Sequence, residues 1–508
     1  MRVLDRVLGR SARGVAAAWI LSLTALALVS VLGTKGLYPS DAARQLAALG
    51  LNASRALVAL YGPVPLDGSL GALAMVKLLG LGSLGAALGG SLVATRLSRG
   101  LEESGELILL SLGPRGWRVV ARRGGHLALF GGLILALLLT LASVVGGLPL
   151  PGSVLLGGDL GLAWTFGASL SLRLAQSLTH ARSVRLSAAT VLALSYLLRA
   201  LGDSTAGLGT LSTLSPFHWV IATSPFSHPR PVLLLPLVAL DLSLVLGAER
   251  SRTRRDLGGP YRERRRRPTP LATRLSTLWW RRHQILIVVT AALTLLVSAA
   301  LAGASSQVSH LITSNRSAQY LAALGGPGGV KDQVLSLAVL SGAEVSVALG
   351  VALLVSRRHD ERVGALRLVE VQPPSAETIW WSELGRISLA VLGCSLAGLG
   401  VLVASPRREL LVFTLSRLAG TAVLLALSVV LGRRGPLGAL WAPLAITVLA
   451  SEVAPLARPL RELARLSPYW WIGSSFTQTS IGALIVELLL TAGLMTLAWS
   501  RRATRKWT

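Results

Sequence analysis

Cysteine, lysine and acidic side chains are all scarce in this 508-residue chain. The lone cysteine, Cys394, excludes an intramolecular disulfide and any cysteine-cluster metal site. Only Lys35, Lys77, Lys331 and Lys506 are lysines, so almost every cation is arginine, which reads as a GC-rich coding bias. The histidines are scattered, with no H-E-x-x-H or comparable ligand spacing, so no metal site is expected. Asn52 and Asn315 match N-x-S by chance and carry no weight.

Charge is scarce overall. Charged residues make up 14% of the chain, against roughly 25% in a soluble protein. Apolar runs longer than the ~18 residues that mark a membrane span recur along the sequence. The chain reads as an all-α polytopic membrane protein with about twelve transmembrane helices. Spans are expected near 14–33, 72–95, 126–147, 153–172, 184–201 and 231–248. A second set is expected near 284–303, 334–355, 385–404, 410–432, 437–453 and 478–499. The basic, then apolar, N-terminus is too long for a signal peptide and reads as an uncleaved first span.

The net charge of +27 could suit nucleic acid, but the arginines flank apolar runs. Topology is the simpler reading. Arginines cluster before the first span, between the second and third, between the fourth and fifth, and after the sixth. The alternate loops of the first half carry few, which predicts two cytoplasmic termini in a plasma-membrane protein. Arg407, Arg408, Arg458, Arg461 and Arg465 depart from the pattern in the second half.

Residues 249–283 are rich in arginine and proline and lack apolar periodicity. They read as a solvated basic linker on the cytoplasmic side, touching anionic lipid headgroups. The linker separates a first six-span half, 1–248, from a second, 284–508. Anchors recur in the same order in both. "SRALVALYGPVP" faces "AQYLAALGGPGG", "EESGELILLSLGP" faces "ERVGALRLVEVQP", and "LSPFHWV" faces "LSPYWWI". Two homologous halves of like orientation suggest parallel repeats about the membrane normal.

The segment "LEESGELILLSLGP" follows the second span. Its acids Glu102, Glu103 and Glu106 come first, and Leu107, Leu110 and Pro114 follow at helix-like spacing. Acids at the start of a short helix complement its dipole, and the leucines can lie toward the bilayer at its interface. From one copy alone, an interfacial helix that only turns the chain is as good a reading as a functional surface. The second copy, with Glu361, Gly364, Leu366 and Pro373 against Glu102, Gly105, Leu107 and Pro114, suggests a cytosolic docking surface used twice. Arg362 and Val363 stand where the first copy has Glu103 and Ser104, so the two surfaces differ in charge.

The stretch "ESGELILLSLGPRGWRVVARR" resembles the signature of type-2 ABC exporter permeases. Together with "ALVALYGPVPLDGSLGAL", "LLRALGDS", "LSPFHWV" and "RRDLGGP" it is most similar to the double-length permeases of the polyketide-antibiotic, tetronasin type. The resemblance covers most of residues 50–260 and is looser afterwards. It implies a permease that works with a separate ABC ATP-binding subunit, two copies per permease. ATP and Mg would bind on that partner and no cofactor on this chain. The segments Glu102–Pro114 and Glu361–Pro373 would transmit the partner's motion, and amphipathic, antibiotic-like cargo would leave the cell. The sequence itself holds no GxxxxGK[ST] phosphate loop.

Five polar residues are candidates for the membrane interior or a gate. Arg199 and Asp203 are four apart at the outer end of the fifth span, as an ion pair or part of an outer gate. Asp241, Arg417 and Glu487 lie within spans, where a carboxylate costs about 2.5–3.5 kcal/mol and should face the bundle interior. Each could pair with another span, touch cargo or carry a proton. The rival reading is a proton-coupled secondary transporter, with Asp241 and Glu487 as carriers. A lipid-modifying enzyme would need a polar cluster at one interface, and a purely mechanical ABC subunit a sizeable external domain.

Overall fold

The computed structural model describes residues 2–53, 55–111, 116–205, 207–257, 259, 275–304, 329–363, 376–400, 408–432, 437–453, 458–472 and 481–503. Every regular element among them is helical. The chain divides into two compact units, Met1–Thr269 and Pro270–Thr508.

The first unit contains α1 (Arg2–Leu37), α2 (Asp41–Ala53), α3 (Arg55–Tyr61) and the long α4 (Leu70–Glu103). Then come α5 (Glu106–Ser111), α6 (Trp117–Val145), α7 (Leu150–Ser177), α8 (Ala181–Ser204), α9 (Pro216–Ala222) and α10 (Leu235–Thr253). The long helices run up and down. The C-terminal ends of α4, α7 and α10 meet the N-terminal ends of α6 and α8. At the opposite end, Lys35 of α1 donates to Gly146 O, just past α6, at 2.6 Å.

Small residues let these helices approach closely, because lipid offers no hydrophobic drive between them. A Cβ on Gly167 of α7 would overlap the carbonyl of Ala87 of α4, and one on Gly90 would overlap that of Trp164. Trp164 is fully buried in the gap and donates its indole N–H to Ala128 O at 2.9 Å. In α4, π turns at Leu78–Gly82 and Arg96–Gly100 interrupt the α-helical pattern. Every residue of α4 between Lys77 and Arg96 that is not buried lies on one stripe, through Leu81, Leu84, Leu88 and Leu92.

The second unit contains α11 (Leu275–Ala304), α12 (Val330–Val363), α13 (Ala376–Ala397), α14 (Arg408–Gly432), α15 (Ala442–Val448), α16 (Pro468–Ile472) and α17 (Ile481–Ala503). Cys394 is fully buried in its core.

Seven helices among the described residues are long and apolar enough to cross a membrane, with shorter apolar helices at Ala439–Ser451 and Gly482–Ala498. The protein is therefore all-α and multi-pass. The expected span 153–172 falls on α7, which is long but whose glycines, serines and Asp159 dilute its apolarity. The expected span 437–453 is a broken rod, a 3-10 turn, α15 and a π turn in succession, with Pro443 at its first joint.

The two copies of the aromatic motif fold alike. Trp219 donates its indole N–H to Thr213 O at 2.8 Å, and Trp471 donates to Arg465 O at 2.7 Å. Ser215 and Ser467 are both fully buried just before their helices.

Candidate functional site

The short segment between α4 and α6 is built by a glycine turn. Gly105 adopts φ +75°, a left-handed conformation that costs an L-residue roughly 1–2 kcal/mol. Its N–H bonds to Glu102 O at 3.2 Å, and α5 begins at the next residue. Leu107 is 1% exposed and packs into the core of the first unit, with Leu110 beside it. Glu106, Ile108 and Leu109 face outward, Leu109 with 68% of its surface exposed. The segment thus has an anchored side and an open side. Leu107 and Leu110 are the anchors, where the sequence suggested leucines laid toward lipid.

The acids divide in the same way. The side chain of Glu102 is only 4% exposed and sits between two guanidinium groups. Arg99 Nη1 donates to its Oε2 at 2.7 Å, and Arg255 Nη1 to the same oxygen at 3.1 Å. Arg255 Nη2 pairs with Oε1. Glu103 is 42% exposed, and its Oε1 accepts the N–H of Ala181 at 2.9 Å and contacts His180 Nδ1 at 3.3 Å. It thereby satisfies an open N–H at the start of α8 and complements that helix's dipole. Of the three acids, only Glu106 is wholly turned to the surface without a structural bond of this kind.

Arg252 and Arg255 belong to the segment expected to be solvated, yet both are buried. Helix α10 continues to Thr253, and α11 starts at Leu275, so both ends of residues 249–283 are helical. Sequence reading missed this because the partners are remote. Arg255 Nε donates to Gln176 Oε1 at 2.8 Å, and its guanidinium lies 5.1 Å from the ring centre of Trp117.

In the second unit, Glu361 ends α12 as part of a different ion-pair set. Arg357 Nη2 lies 2.8 Å from Glu361 Oε1, and Arg357 Nε 2.6 Å from Glu383 Oε2. Arg282 makes a two-pronged pair with Asp360 at 2.5 and 2.7 Å. These braces come from α11 and α13. Gly364, Leu366 and Pro373 lie outside the described residues, as does Pro114.

Arg199 is fully buried and is mostly engaged by backbone. It donates to Ala59 O at 2.6 Å and Leu60 O at 3.3 Å, at the end of α3, and lies 3.4 Å from Asp203 Oδ2. His218 Nδ1 lies 3.7 Å from the other oxygen of Asp203. Arg199 and Asp203 are thus paired, and the carbonyls that end α3 share the guanidinium. Asn52 likewise serves the fold, bonding both the N–H and the carbonyl of Val64 at 2.8 and 2.7 Å.

Asp241 faces inward from α10. Thr165 and Ser169, one turn apart on α7, donate to its two oxygens at 2.6 and 2.9 Å. Arg417 and Glu487 are both buried in the second unit near Tyr469 and Gly420. Arg417 lies 4.0 Å over the ring of Phe413 and bonds Tyr469 O. Two further buried acids were not singled out from sequence. Asp159 on α7 accepts from Thr223 at 2.9 Å, and Glu344 on α12 accepts from Ser451 at 2.9 Å. Their signal was there, a lone acid inside an apolar run. No group of three His, Cys, Asp or Glu side chains able to hold a metal occurs among the described residues.

No family model matches the chain. A search of curated proteins finds similarity to the multidrug efflux system permease protein Rv1217c of Mycobacterium tuberculosis. The two are 31% identical over 400 residues, 75% of this chain and 69% of the relative. That length reaches beyond what either unit alone contains.

Proposed function

We propose, from the premise that this chain belongs to the multidrug efflux system permease family, that it is the membrane subunit of an ATP-driven exporter. A separate ABC ATP-binding subunit, in two copies, supplies the energy. The cargo is amphipathic and drug-like, in keeping with the relative's name. The permease is of the type-2, double-length kind, with two homologous halves, and sits in the plasma membrane with both termini cytoplasmic.

The observation that carries this reading is the two-sided segment after α4. Leu107 is locked into the bundle core while Glu106, Ile108 and Leu109 are presented outward. An anchored helix with an acidic and apolar open face can receive a push from a partner and pass it to the helix that anchors it. The charge pattern of α4 supports a place for this segment beyond the bilayer. Lys77 and Arg96, on its open stripe, are 96 − 77 = 19 residues apart, or about 28 Å along a helix. That matches the ~30 Å hydrocarbon thickness, so both cations reach the headgroups by snorkelling. The last turns of α4 and all of α5 then stand beyond the bilayer on the arginine-rich side.

Each cycle runs as follows in this reading. ATP closes the partner's two copies, α5 and its counterpart after α12 are displaced, and the spans exchange inward for outward access. The test is reconstitution of the chain with and without a candidate ABC ATPase subunit. Export that needs the ATPase and stops with vanadate is expected. Export by the chain alone, abolished by an uncoupler, would instead establish the proton-coupled alternative.

A further inference from the structure

We infer that Arg252–Leu257 together with Gly259 form a strap, pinned by the buried side chains of Arg252 and Arg255, that sets the position of the coupling element, with Arg255 as its positioning residue. The inference rests on the reading of α5 as that element. Arg255 ties together three helices that end at the same level. Its two Nη groups hold both oxygens of Glu102, in the last turn of α4. Its Nε holds Gln176 near the end of α7, and its plane rests on Trp117 at the start of α6. Arg99 completes the joint. Arg99 Nε donates to Ala175 O at 2.6 Å, one of the carbonyls left open at the end of α7. Arg99 Nη2 donates to Gly259 O at 2.9 Å, and Arg255 Nη1 donates to the same carbonyl at 3.2 Å. The backbone of the strap is therefore bonded as well as its side chain.

Two guanidiniums on one carboxylate would be unfavourable in isolation. Here the surplus positive charge meets the C-terminal end of the α7 dipole and the Gly259 carbonyl. A planar fork is required, because a lysine could not span Glu102 and Gln176 at once. The joint lies immediately before the Gly105 turn, so it fixes the base from which α5 projects. The strap also begins the only covalent path from the first unit to the second. A displacement of α5 that reaches Glu102 must either move the strap or break the joint.

The test uses the full chain in liposomes with its ATPase. Glu102→Gln removes the charge while leaving every arginine in place, and Arg250→Gln, at an exposed position, is the control. Trypsin cleavage after Arg255 should be slow in the native protein and rise by at least ~10-fold in Glu102→Gln, since breaking a buried pair exposes its partner. Export per ATP hydrolysed should fall by a similar factor; this ratio is unaffected by the fraction of protein folded. Glu102→Asp keeps the charge and should restore both readouts substantially. Equal cleavage in native protein and Glu102→Gln would overturn the strap, and unchanged export per ATP would overturn its positioning role. Failure of the ATP-driven reading is separate: native export would then ignore vanadate, while the cleavage difference would persist.

Discussion

Ser169 donates to Asp241 at 2.9 Å across the α7–α10 contact. Thr165 serves the other oxygen, so a carboxylate placed within a span has both oxygens hydrogen-bonded without an arginine partner. Each hydroxyl also lies within bonding distance of its own helix, Thr165 of Leu162 O at 2.8 Å and Ser169 of Phe166 O at 3.0 Å.

That arrangement predicts that Asp241→Asn is tolerated. The amide N–H can donate to one hydroxyl, which then turns to its own helix carbonyl, while the amide oxygen still accepts from the other. Stability should change by no more than about 1 kcal/mol, and export should remain. A proton-carrying Asp241 would lose transport on the same substitution. Export assays and thermal unfolding of the purified variant separate the two.

The two sides of α5 should respond oppositely. Leu107→Ala removes a buried anchor and should cost about 2–5 kcal/mol of local stability. Leu109→Glu alters an exposed position and should leave folding within about 0.5 kcal/mol of native. It should nevertheless reduce retention of the ATPase on the permease. Thermal shift and co-purification, measured on the same preparations, check both halves.

Arg199→Met should be severe because it strands Asp203 and two backbone carbonyls at the end of α3 in a buried site. The expected loss is about 3–5 kcal/mol, read as a lower unfolding midpoint. Arg199→Lys should recover only part, since one ammonium cannot replace the fork.

Gly167→Leu should prevent the close contact of α7 with α4, because even a Cβ there overlaps the Ala87 carbonyl. Overpacking of one methylene already costs about 1–3 kcal/mol. The variant should fail to give a monodisperse peak on size exclusion. Gly158→Ala, on the same helix with open space at its Cβ, should behave as native.

The sequence by itself determined the class of this protein. Apolar runs, arginine flanks and the low share of charged residues follow from the bilayer, which demands long helices and tolerates few ions, so no tertiary information is needed to read them. The ordered motifs were also legible, and the matching Trp219 and Trp471 bonds show that their local geometry is written locally. Asp241 was predicted to face inward on cost alone, and it does. Tertiary structure alone decided which charges are structural. Glu102 and Glu103 are adjacent and look alike in sequence, yet one is sealed between Arg99 and Arg255 and the other caps α8. The distinction arises because Arg255 is 153 residues away from Glu102, and only the packing of α4, α6, α7 and α10 brings it there. Burial is a property of that packing, so a run of arginines reads as solvated until the fold shows what it covers.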